Sequence, residues 1–153
     1  MKLILLDIDG VLNNEHTRTT THDGWCFVDD YLVERLARFV KESGAKVVLS
    51  STWRMGWNRD DESFNEPFFN QLRDKLKEYN IEIWDTLPLP ISSRRSRSIE
   101  KYFEDYRGPF ITNYVILDDW NDMDKYSSHL VLVNPIYGLR DEDVYKALDI
   151  LNE

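Results

Sequence analysis

LILLDIDG, residues 3–10, begins with four apolar residues and ends in two carboxylates spaced i and i+2, followed at once by Gly10. The run reads as a strand, whose alternation places Asp7 and Asp9 on one side at its carboxyl end, where open α/β sheets hold their chemistry. Two carboxylates held close together repel, so one is driven toward its neutral form unless a cation lies between them. A neutral carboxyl suits a proton donor. A cation such as Mg²⁺, which takes oxygen ligands in a tight octahedron, keeps the other ionised and able to attack phosphorus. The plainer reading is a strand that runs into an Asp-Gly turn. An EF-hand loop is excluded, because Val11 and Leu12 stand where further oxygen ligands are required.

The bulk composition frames what such a site can serve. At 153 residues, with 42% hydrophobic and 13% aromatic residues, the chain is long enough for one domain with a sizeable core. Its formal net charge of −9, from 19 Lys and Arg against 28 Asp and Glu, opposes general adhesion to nucleic acid or anionic lipid. Any contact with a polynucleotide must therefore be local. Cys26 is the sole cysteine, which rules out an internal disulfide. The start MKLILLDIDG lacks the apolar length and small-residue cleavage site of a signal peptide, and no later stretch reaches the length of a membrane span. The expectation is a protein of the reducing cytoplasm, without a membrane partner, as a monomer or dimer.

Working outward from the first strand, residues 13–28 hold no sustained period and are rich in Thr and Asn, which predicts a short polar flap over the strand end. Asp29 reads as a helix N-cap, and the stripe Leu32, Leu36, Phe39 and Val40 predicts a helix from about Asp30 to Ser43, closed by Gly44. AKVVLSS, residues 45–51, is a second buried strand that ends in hydroxyls. After a break, Phe69, Leu72, Leu76 and Tyr79 mark a second helix, and IEIWDTL a third strand in which Trp84 is expected to be core. The segment LPLPISSRRSRS leads into a helix with Ile99, Tyr102, Phe103 and Tyr106 on one face, stopped at Gly108-Pro109. YVILDD, residues 114–119, is a fourth strand and HLVLVNP holds a fifth. Asp141 is expected to cap a final helix carrying Val144, Ala147, Leu148 and Leu151. Strands alternating with helices imply an α/β fold with a mainly parallel five-stranded sheet. There are no internal repeats and no credible domain boundary, so residues 1–153 read as a single domain.

The polar residues are not scattered. Asp7 and Asp9, then Ser50, Ser51 and Thr52, then Asp118 and Asp119 each follow an apolar strand directly, and a parallel sheet gathers those ends at one edge. Arg94, Arg95 and Arg97, just ahead of a helix, add a cation and a helix N-terminus there. Carboxylates, hydroxyls, a cation and free backbone N–H groups are what a phosphoryl group and a metal jointly require.

This ordered set resembles the haloacid dehalogenase (HAD) superfamily of aspartate-nucleophile phosphohydrolases. LDIDGVL is similar to its first motif, VVLSSTWR to its second, an arginine of SSRRSRS to its third and VILDD to its fourth. More narrowly, DIDGVLN with SSTWR and ILDD is similar to the small HAD-like domains associated with RNA-repair proteins. The resemblance implies a Rossmann-like three-layer α/β/α sandwich with a minimal cap. It further implies that Asp7 attacks phosphorus to form an aspartyl-phosphate while Asp9 protonates the leaving oxygen and later activates water. Mg²⁺ would be held by Asp7, the backbone carbonyl of Asp9 and Asp118, with Asp119 or Asp122 holding metal-bound water or the arginine. Ser51 would donate to a phosphoryl oxygen, preferred over Ser50 and Thr52 for its place at the strand's end. Arg95 would offset the developing charge, chosen over Arg94 and Arg97 for its place one turn before Ile99. The third motif is most often Lys, but an Arg fork grips phosphate in a bidentate manner and keeps its proton.

Gly10 and Thr52 are further candidates for substrate contact. Trp25, Trp53 and Trp57 lie near the expected mouth, where flat rings can stack on a base and Arg54 can hold a phosphate; packing of the flap explains the tryptophans equally well. His16, His22 and His129 lack the spacing of a zinc site. The expected activity is Mg²⁺-dependent hydrolysis of a phosphomonoester on a polynucleotide end or a nucleotide, with RNA-repair enzymes as partners. A phosphatase of small metabolites or phosphoproteins is the alternative enzyme, and a noncatalytic phosphate-binding module the alternative of another class.

Overall fold

The computed structural model describes residues 1–89 and 92–153. Pro90 and Ile91, within the Pro- and Arg-rich segment LPLPISSRRSRS, lie outside the described residues. Five strands, β1 (Lys2–Leu6), β2 (Lys46–Leu49), β3 (Ile83–Thr86), β4 (Asn113–Asp118) and β5 (Leu130–Leu132), alternate with helices α1 (Asp30–Ser43), α2 (Pro67–Glu78), α3 (Arg95–Asp105) and α4 (Asp141–Leu151). Every strand pairs in parallel, in the order β3-β2-β1-β4-β5. The continuous apolar strands are explained by this, because β1, β2 and β4 are covered on both faces.

The first strand occupies the centre. The chain winds outward from it through β2 to β3, then α3 carries it back across to β4 on the other side, which makes the ends of β1 and its neighbours a point where the strand order reverses. Ligand sites of open α/β sheets form at such a point. Side-chain alternation divides the core between two layers. Ile4, Leu6, Val47, Leu49, Val115 and Leu117 pack against α1, α2 and α4, while Leu3, Leu5, Val48 and Ile116 pack against Ile99 and Tyr102 of α3. The molecule is therefore a Rossmann-like three-layer α/β/α sandwich.

Several local features differ from their sequence reading. Asp29 stands at the N-cap position of α1 without capping it; its carboxylate accepts instead from the Thr17 hydroxyl at 2.5 Å, which ties the flap to the helix. Asp141 is the first residue of α4 rather than its cap, and it pairs with Arg35 at 2.9 Å. Trp84 is only half-buried, because β3 is an edge strand whose outer flank no further strand covers. Gly44, with φ of +67°, ends α1 as its sequence position suggests. Residues 13–28 fold into a small hairpin closed by an antiparallel bridge between Thr20 and Cys26, and Phe27 and Val28 anchor its return limb in the core. No helix among the described residues is long and apolar enough to cross a membrane.

Phe39 of α1 is fully buried and Tyr145 of α4 is 66% exposed. Phe39→Ala is expected to cost about 3–5 kcal/mol of stability, and Tyr145→Ala to stay within about 0.5 kcal/mol, both measured by urea unfolding.

Candidate active site

The strand ends converge as the sequence implies, but the carboxylates divide into two groups. The first strand stops at Leu6, and the Asp7 N–H continues its ladder by donating to the Leu117 carbonyl at 3.0 Å. Asp7 and Asp118 share the side-chain parity of Leu5 and Ile116 and point to the α3 side. Asp7, Asp118 and Asp119 each offer an oxygen within 4.8 Å of the others. Asp9 does not belong to this cluster. It lies in the turn after the strand rather than in the strand, so alternation no longer governs it, and its carboxylate is exposed. The Asn13 amide donates to its Oδ1 at 2.9 Å and the Trp53 indole N–H to its Oδ2 at 3.1 Å. The Asp9 carboxylate therefore stands apart from the acidic cluster expected to hold the metal.

Gly10 makes the turn possible. Its φ is +84°, and a Cβ there would meet the Asp119 carboxyl carbon at 2.8 Å. The Asn13 Oδ1 accepts from the Gly10 N–H at 2.8 Å, so one buried amide fixes both the turn and the Asp9 carboxylate. Sequence reasoning missed Asn13. The available signal was an Asn placed four residues beyond Asp9, within reach of a turn's own backbone.

Arg95 is the arginine that faces the cluster. Its Nη1 lies 2.7 Å from Asp118 Oδ2 and 3.6 Å from Asp7 Oδ1 and donates to Ser50 Oγ at 3.2 Å. Arg94 turns away to Asp122 and Asp124, and Arg97 is exposed. Asp122 therefore engages Arg94 and not the inward arginine. Of the three hydroxyls, the structure brings Ser50, and not the expected Ser51, against Arg95. Parallel pairing sets Leu5 beside Val48 and Leu6 beside Leu49, so Ser50 falls next to Asp7 and shares the α3-side parity of Val48. Ser51, equally buried, accepts the Trp53 backbone N–H at 3.2 Å and caps a 3₁₀ turn, Thr52–Gly56.

That turn also places Arg54 away from the open rim where a substrate contact is expected. It folds the side chain inward to 2% exposure, where the guanidinium donates to the carbonyls of Ser50, Ser51 and Pro88. Arg54 is a strut under the second strand's end. Burial and the repulsion of Arg95, partly offset by Asp7, lower its pKa to about 10, so it remains a cation that adds positive potential from beneath. Trp53 packs between Phe27 and Phe68, while Thr52 is exposed at the rim. Trp57 takes no part in the site: it stacks on Phe69 with a centroid distance of 5.2 Å.

The cluster carries more negative charge than it can hold unaided. Burial first, then the charges of Asp118 and Asp119, push the Asp7 carboxyl well above the usual carboxylate range, with Arg95 opposing. Burial likewise raises Asp118, against Arg95 and the Trp120 N–H. Three carboxylates face one guanidinium, and the donors are all oxygen. A small hard dication fits this set, as Mg²⁺ does.

The chain matches, over residues 3–144, the family described as HAD domain in Swiss Army Knife RNA repair proteins. It belongs to that family. The match supports a hydrolase of the HAD type. Comparison with curated proteins gives no match.

Mg²⁺ is expected to raise the melting temperature with the logarithm of its concentration above Kd, a hundredfold excess giving about 2.7 kcal/mol of stabilisation. In Asp118→Asn the rise should vanish, as read by calorimetry across a Mg²⁺ series; an undiminished rise would place the ion elsewhere.

Proposed function

We propose that the protein is a Mg²⁺-dependent phosphatase that hydrolyses a phosphomonoester on a polynucleotide end or a nucleotide. The observation that carries this reading is the cluster of Asp7, Asp118 and Asp119 with Arg95 at the reversal point of the sheet. Family membership supports it, since the matched domain occurs in RNA repair proteins. Asp7, Asp118 and Asp119 would hold the metal, which when bound neutralises charge on the phosphoryl oxygens.

In the first step an Asp7 carboxylate oxygen bonds to phosphorus, the bond from phosphorus to the ester oxygen breaks, and that oxygen takes a proton from Asp9. In the second, Asp9 removes a proton from water, the water oxygen attacks phosphorus, and inorganic phosphate leaves with Asp7 regenerated. Asp9 suits the second carboxyl role because it stands outside the acidic cluster, and each oxygen held by Asn13 or Trp53 keeps a further lone pair. Arg95 offsets charge on the transferred group, and Ser50, beside it, donates to a phosphoryl oxygen.

Access favours a bulky substrate. The flap at 13–28 is a single hairpin, too small to enclose the edge, so a chain end can approach from solvent. Recognition of an extended phosphate backbone is disfavoured by the formal charge of −9 and by the pairing of Arg94 with two aspartates. One terminal phosphate remains within reach of Arg95.

Hydrolysis of an aryl phosphate with Mg²⁺ is expected to disappear in Asp7→Asn and to fall about 10²–10⁴-fold in Asp9→Asn. Intact turnover in Asp7→Asn would remove it as nucleophile. A panel of 2′-, 3′- and 5′-phosphorylated oligonucleotides, mononucleotides, sugar phosphates and phosphopeptides should show preference for one nucleotide terminus. Equal, slow turnover of all would refute the end-processing reading.

A further inference from the structure

Asp9 borders two open spaces of unlike chemistry. One, of about 290 Å³, is walled by Glu15 and Asp119 among others and lies on the acidic cluster's side. The other, of about 510 Å³, is formed by Trp25 and Cys26 of the flap, by Thr52, Trp53 and Met55 of the 3₁₀ turn, and by Phe68 of α2. Its volume falls in the range of small-molecule sites, and among its described lining residues Asp9 supplies the sole formal charge. Two of its walls are costly to leave in water: Trp25 is 64% exposed and Met55 62% exposed.

We propose that this cleft is the leaving-group subsite and that its occupant is the nucleobase of the nucleotide bearing the scissile phosphate. The inference rests on the phosphatase reading, because it takes Asp9 as the group that protonates the leaving oxygen. Whatever is attached to that oxygen must continue past Asp9, into one of the two spaces. The smaller space sets Pro135 and Ile136 beside Glu15 and Asp119 and holds no aromatic ring among its described residues. The cleft offers the exposed Trp25 ring, the Phe68 edge and the polarisable Met55 thioether, surfaces on which a base stacks without regard to its identity. A sugar lies between phosphate and base, which sets the ring apart from the phosphate and past Asp9, the residue that borders the cleft. The Thr52 hydroxyl at the rim can meet a base edge as donor or acceptor. The absence of Lys and Arg from the described lining limits the site to one uncharged ring and leaves the neighbouring phosphates of a polynucleotide in solvent.

The test compares kcat/KM for adenosine 3′- and 5′-monophosphate, ribose 5-phosphate and a phosphotyrosine peptide. The wild-type protein should favour the better adenosine monophosphate over ribose 5-phosphate by about tenfold or more, the scale of one stacked base. Trp25→Ala and Met55→Ala should each bring that ratio toward one, and Trp25→Phe, which keeps a flat ring, should retain most of it. A wild-type ratio near one, a ratio indifferent to both alanine variants, or preference for the phosphotyrosine peptide would overturn the proposal. Should none of the esters turn over, the phosphatase reading fails, and the cleft is judged by binding alone. In Asp7→Asn the Trp25 indole N–H resonance should shift on addition of adenosine 5′-monophosphate and not of ribose 5-phosphate; no differential shift overturns the subsite.

Discussion

Arg95 facing Asp118 at 2.7 Å and Asp7 at 3.6 Å is the interaction on which the rest of the site depends. Both carboxylates are buried at the tips of adjacent strands, where an ionised group without a partner is expensive. The parallel pairing of β1 with β4 leaves little choice about this proximity, since register alone sets Leu6 beside Leu117 and hence Asp7 next to Asp118. A single guanidinium compensates two of these charges imperfectly. The remaining deficit is what a bound cation would offset, and the compensation there is requires α3 to begin where it does so that Arg95 projects from its first turn.

The same reversal of strand order that creates the crevice also sorts its chemistry. Residues of the α3 layer, Asp7, Ser50, Asp118 and Arg95, form the charged half. The flap, the Thr52–Gly56 turn and the start of α2 form the aromatic half, with Trp53 wedged between Phe27 and Phe68. Asp9 stands at the boundary, bound to one half by its place in the chain and to the other by the Trp53 indole.

The fold and the gathering of polar residues at one sheet edge were legible in the sequence to the extent that strands and their ends were. Apolar runs ending in carboxylates or hydroxyls gave the parallel sheet and the convergence of Asp7, Asp118 and Asp119, and the apolar face of α3 singled out Arg95 one turn ahead of Ile99. Illegible were the points where regular structure stops. The choice between Ser50 and Ser51 is set by the register of β2 against β1, which neither strand displays alone, and the end of β1 at Leu6 removes Asp9 from the strand alternation. Arg54 eluded the pattern because a 3₁₀ turn, which leaves no apolar period, folds it back on the carbonyls it supports. Asn13 eluded it because its role lies in two side-chain hydrogen bonds within a turn. The division of the open space around Asp9 arises from contacts between the flap and α2, which are distant in sequence.

Trp53 closes one circuit of the structure: its ring packs a wall of the cleft while its N–H fixes an oxygen of Asp9. Shape and proton chemistry are thereby joined in one side chain, so the protein is not free to remodel the cleft at its base without loosening the carboxylate. Trp25 and Met55, both more than 60% exposed at the rim, are not tied to the carboxylate in this way.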